Sequence, residues 1–156
     1  DIFLSSNNVV ADKKTLGVLT IAGGLFFAVG HVIYVVWLLR FVEGFNCYTL
    51  FAVFGIPALF LALSLLKVMK AGKITPLVTL YAAFLGTMLM GAINVYVFLS
   101  PEKIASLILA GGILFTTSDL VLAYYNFGHT EQTKVKYIYM TTYYAAQILF
   151  ALTLLY

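Results

Sequence analysis

Charge is scarce in this chain: Lys, Arg, Asp and Glu make up 10% of its 156 residues, where a soluble domain carries about 25%. With 63% hydrophobic residues and a mean hydropathy of +1.03, that scarcity excludes an ordinary water-soluble fold and reads as a polytopic membrane protein. The surplus of positive charge, +3, is too small for a nucleic-acid-binding surface, and its lysines sit in short loops. A lone Cys47 excludes an internal disulfide. Prolines are almost as rare. Pro57 falls inside an apolar run and is expected to kink it, whereas Pro76 and Pro101 occupy loop or first-turn positions.

The few charges divide the chain. Lys14 and Arg40 bracket 25 uncharged residues, Glu43 and Lys67 bracket 23, and Lys73 and Glu102 bracket 28. A helix rises about 1.5 Å per residue, so each run can cross a hydrocarbon core of about 30 Å. A fourth run follows Lys103 and a fifth ends the chain. The expectation is an all-α transmembrane bundle in one domain, with five spans at 15–40, 47–69, 75–98, 104–126 and 136–156. Lipid forces each crossing segment to satisfy its own backbone, and alternating strand patterns are absent. One set of loops holds Lys13, Lys14, Lys67, Lys70, Lys73, Lys134 and Lys136, and the other holds Arg40 and Lys103. That asymmetry predicts a cytoplasmic lysine-rich side, with Tyr156 on the opposite side.

Asp119 stands out within the fourth run. A carboxylate near the middle of a spanning helix costs roughly 2.5–3.5 kcal/mol on insertion scales, so a helix that only had to span would carry an apolar residue there. No Lys or Arg lies mid-span to pair with it, and desolvation then favours the neutral acid. Helical spacing puts Gly112, Phe115, Asp119, Ala123 and Asn126 on one stripe, with Ser118 beside it. Tyr139, Tyr143 and Gln147 form a stripe on the fifth span. Thr87, Met90, Gly91 and Asn94 form one on the third, and Phe27, His31 and Tyr34 one on the first. Each such polar group is expected to face the bundle interior. Asn94 also reads as a helix–helix hydrogen-bonding residue, and His31 as a structural histidine bonded to a backbone carbonyl. Most of the eleven tyrosines fit an interfacial aromatic belt. Gly111 and Gly112, and Gly23 with Gly30, mark places where helices can approach.

Other chemistries find no motif. There is no His-x-x-x-His or Cys/His cluster, no Gly-x-Ser-x-Gly elbow and no phosphate-binding loop, so neither a metal nor a cofactor is expected. Acid–base chemistry by a carboxyl group in an apolar pocket remains, and it suits a lipid substrate.

Three stretches, Gly-Gly-Ile-Leu-Phe-Thr-Thr-Ser-Asp at 111–119, Met-Thr-Thr-Tyr-Tyr-Ala-Ala-Gln at 140–147 and Gly-Leu-Phe-Phe-Ala-Val-Gly-His-Val-Ile-Tyr at 24–34, are similar in order and spacing to the YhhN/TMEM86 family of lysoplasmalogenases. Tyr81 and Met88, seven apart on the third span, fit as well. Family members usually have about eight spans, the third ending in Gly-Asp and an apolar pair. Asp1-Ile-Phe-Leu4 resembles the tail of that motif, so about three spans are expected upstream.

The resemblance implies hydrolysis of the vinyl-ether bond of lysoplasmalogens to a fatty aldehyde and a glycerophospho head group, with a lysophospholipid as the partner. It assigns Asp119 as proton donor and Asp1 as the second carboxylate, with the two roles exchangeable. Tyr143 and Gln147 would position substrate or water, supported by Ser118, Asn94 and His31. Two alternatives stay open: a non-catalytic lipid-binding or proton-coupled transport protein, and a hydrolase of another lysolipid. A single site further requires Asp1, Asp119, Tyr143 and Gln147 to converge on one cavity opening to the lysine-rich side.

Overall fold

Long apolar runs become helices, and in the computed structural model, which describes residues 13–38, 50–99, 102–128 and 133–156, five of them account for most of the described residues. These are α1 (Lys13–Leu38), α2 (Leu50–Leu65), α3 (Thr75–Leu99), α4 (Lys103–Phe127) and α5 (Thr133–Leu152), with 3₁₀ turns at Gly72–Ile74 and Thr153–Leu155. No strand occurs among the described residues. Three stretches, Thr75–Leu99, Lys103–Phe127 and Thr133–Leu155, are long and apolar enough to cross a membrane. Polarity follows the expected pattern in part, since Gln147 and Asn126, expected to face the interior, are exposed. Phe26, Ile33, Phe54 and Leu80 are exposed, whereas His31, Asn94, Ser118 and Asp119 are buried.

The α3–α4 pair is central. Both α1 and α2 pack on α3, and α5 packs on α4. Small residues set these distances. A Cβ added to Gly112 would lie 2.9 Å from the Cβ of Ala92, so α3 and α4 meet nearly backbone to backbone. One at Gly111 would strike the ring of Phe150, which brings α5 onto α4. Gly30 is different from the expectation of helix contact: nothing lies within 4 Å of the position its Cβ would take.

Helix α2 stops at Leu65, four residues before the expected end of its span. The reason is a hydrogen-bonded helix terminus. Lys67 takes a left-handed conformation at φ 59°, the Lys67 N–H donates to the Ser64 carbonyl, and the Val68 N–H donates to the Leu63 carbonyl. That is the Schellman pattern, which turns the chain while satisfying the last carbonyls. The Lys70 N–H then donates to the carbonyl of Phe127 at 2.6 Å, tying this turn to the end of α4. Phe60, Met69, Ala71 and Ala82 form a buried cluster there, with Ala123, Tyr124 and Phe127 packed against it. The ends of α2 and α4 and the start of α3 are therefore packed together on the lysine-rich side.

Candidate functional site

Asp119 sits on α4 one turn beyond Phe115, is 4% exposed, and faces into the bundle. Its partner is Tyr81 of α3, whose hydroxyl donates to Oδ2 at 2.6 Å. Antiparallel packing makes this meeting possible. Tyr81 lies six residues after the start of α3 and Asp119 eight before the end of α4, so at about 1.5 Å per residue their depths nearly match. The Tyr81 ring lies 5.0 Å from that of Phe27.

Directly beyond this pair lies an apolar cavity of about 500 Å³, within the range that encloses small ligands. It occupies the cleft between α1 and α5, over Met88 of α3 and Phe115 of α4. Phe27 and Phe115 stack at 5.6 Å and form its inner end, with Tyr143 5.7 Å from Phe115. Trp37, Thr153 and Leu154 line the other end. The cavity thus runs toward the end of the bundle where α1 and α5 finish, not toward the lysine-rich side as expected.

The site residues read from the sequence divide accordingly. His31, Tyr143 and Gln147 line the cavity. Asp119 lies behind its inner wall, within electrostatic range of the cavity-lining Tyr143. Ser118 is elsewhere: its hydroxyl donates to the Tyr139 carbonyl at 2.8 Å, across the α4–α5 seam. Asn94 is buried in α3 away from the cavity wall. Asp1 lies outside the described residues. No cluster of potential metal ligands occurs among the described residues.

His31 adopts the backbone-bonded arrangement that its position allowed. Its Nδ1 lies 2.9 Å from the Phe27 carbonyl oxygen. A carbonyl only accepts, so the geometry assigns the proton of the neutral ring to Nδ1 and leaves a lone pair on Nε2. The ring is clamped, 4.2 Å from Phe27 and 5.4 Å from Phe115. Tyr81 was the residue missed as part of the site. The depth arithmetic above could have identified it, since a tyrosine on the neighbouring antiparallel span matches Asp119 in depth.

The YhhN family matches residues 1–154 of this chain, which takes in all five helices. No curated protein and no solved structure matches it.

Proposed function

The chain belongs to the YhhN family, and from that premise we propose that it is an intramembrane hydrolase cleaving the vinyl-ether bond of lysoplasmalogens. The observation that carries this reading is the Tyr81–Asp119 pair, buried at the inner end of an apolar cavity. A vinyl ether reacts slowly until its β-carbon gains a proton. A carboxylic acid kept neutral by its surroundings is a suited donor. Asp119 supplies that proton, and Tyr81 fixes its carboxyl group through Oδ2, leaving Oδ1 as the position of the transferable proton. The resulting oxocarbenium ion takes up water at the α-carbon, and the hemiacetal collapses to a fatty aldehyde and a glycerophospho head group.

A second, ionised carboxylate would stabilise the cation and orient or deprotonate the water, as two carboxylates divide labour in glycoside hydrolysis. The resemblance gives that role to Asp1. Tyr143 and Gln147, both on the cavity wall, position water and substrate. Phe27 and Phe115 keep bulk water from Asp119 in this state, and a productive complex requires the substrate to part them. The count of lysines in the loops supports a cytoplasmic lysine-rich end.

The test is aldehyde release from a lysoplasmalogen by the intact protein. Asp119→Asn keeps the shape and removes the titrating proton, so the rate falls by about 10²–10⁴, the usual contribution of general acid catalysis. Near-normal turnover in a folded variant would make Asp119 structural. Equal turnover of an ester-linked lysolipid would redirect the substrate assignment.

A further inference from the structure

Two residues that line the cavity each carry a buried polar atom with no hydrogen-bond partner among the described residues, Nε2 of His31 and the hydroxyl of Tyr34. They stand three residues apart on α1, one turn from each other on the same face. Leaving such groups unsatisfied in an apolar site costs free energy. A ligand that completes their hydrogen bonds recovers that cost.

The chemistry of the two atoms narrows what the ligand group can be. The Nδ1–H bond to Phe27 makes Nε2 an acceptor, and a phenol hydroxyl offers a donor. Ether, ester and phosphodiester oxygens only accept, so none of them satisfies Nε2. A quaternary ammonium does neither. An alcohol does both, donating to Nε2 and accepting from Tyr34. A lysolipid carries one such group, the free glycerol hydroxyl beside its single chain, and a two-chain lipid has lost it.

Resting on the lysolipid reading above, we propose that His31 and Tyr34 form the subsite that recognises the free glycerol hydroxyl of a one-chain lipid, and so distinguish it from two-chain lipids. His31 is here a specificity residue. It positions the glycerol while the chain bearing the scissile bond lies against Phe115 and Met88. The ring clamp by Phe27 and Phe115 holds Nε2 in one orientation, as recognition of a single hydroxyl requires.

The experiment measures binding to the intact protein in nanodiscs, followed by the emission of Trp37, the one Trp of this sequence, which lines the cavity. Three non-cleavable lipids are compared: 1-O-hexadecyl-lysophosphocholine, its 2-deoxy analogue and its 2-O-methyl ether. The 2-O-methyl lipid lacks the donated hydrogen and binds about tenfold more weakly, as one such hydrogen bond predicts, and the 2-deoxy lipid, which also loses the acceptor for Tyr34, binds about twofold more weakly still. His31→Leu brings the three within about twofold of one another, and His31→Gln, which keeps an acceptor, restores part of the discrimination. Tyr34→Phe, a milder change, weakens the parent and 2-O-methyl lipids and leaves the 2-deoxy lipid unchanged.

Equal binding of the three lipids by the unmodified protein would overturn the proposal, because a water would then serve the two atoms as well as lipid does. So would discrimination that survives His31→Leu. Aldehyde release separates this outcome from the enzymatic one. Hydroxyl discrimination without cleavage would support the subsite and defeat the hydrolase reading. Cleavage without discrimination would do the reverse.

Discussion

The Tyr81 hydroxyl and Oδ2 of Asp119 are 2.6 Å apart, although 38 residues separate them in the chain. The bond joins the two central helices and gives the buried carboxyl group a neutral donor in place of a cation. A phenol supplies that bond without burying a second charge, as a cation would. Such a partner fits the proton-donor role proposed for Asp119.

Tyr81→Phe tests that partnership. The ring keeps its packing against Phe27, and only the hydroxyl is lost. A hydrogen bond to an ionisable group is worth about 1.5–3 kcal/mol, so aldehyde release is expected to fall roughly tenfold to a hundredfold. In the Asp119→Asn background the same change should cost much less, because the two residues act as a unit. Equal, additive losses in both backgrounds would show that Tyr81 acts independently of Asp119.

Ser118→Ala separates the seam from the site. The Ser118 hydroxyl is committed to the Tyr139 carbonyl between α4 and α5, and such interhelical bonds in membranes average about 0.6 kcal/mol. A small drop in thermal stability in detergent is expected, with KM for the lysolipid unchanged. A severalfold rise in KM at unchanged stability would return Ser118 to the substrate-binding set.

Much of the fold was legible because lipid leaves few options. The boundaries of α3 and α4 fall within a residue of those read from the sequence, since long apolar runs set off by charged residues are what a crossing helix needs. Asp119 was legible for the same reason: a carboxyl group facing lipid would be too costly, so its interior orientation followed from residue type. The end of α2 was not legible, because the terminating residue is a lysine in a conformation usually taken by glycine. The direction of the cavity was hidden too. It depends on which side chains line the cleft between α1 and α5, a pairing of helices that no single-helix pattern encodes.

Gly112 carries a prediction about how tightly the central pair is set. Its missing Cβ leaves room for that of Ala92, and a methyl group added there would approach to 2.9 Å. Gly112→Ala should lower stability by about 1–3 kcal/mol, the usual cost of overpacking. Ala92→Gly removes the opposing methyl and should recover part of that loss in the double variant. Thermal unfolding of the three variants in detergent decides it. A double variant no better than the sum of the singles would show that the clash is relieved elsewhere.

Lys67 offers the opposite sign. Its left-handed backbone, φ 59°, carries a Cβ where the helix-ending turn favours glycine, a conformational penalty of roughly 1 kcal/mol. Lys67→Gly relieves it, and because the side chain is exposed little packing is lost. Glycine's greater freedom in the unfolded chain takes back some of the gain, so the net expectation is a rise in stability of a few tenths of a kcal/mol. Lys67→Val supplies the control: a β-branched residue is strained in this region and should destabilise the same turn by more than glycine stabilises it. Both are read by thermal unfolding, with aldehyde release as the check that the cavity is undisturbed. If valine were tolerated as well as glycine, the left-handed turn could not be what ends α2. The tie from Lys70 to Phe127 would then be the contact that sets its length.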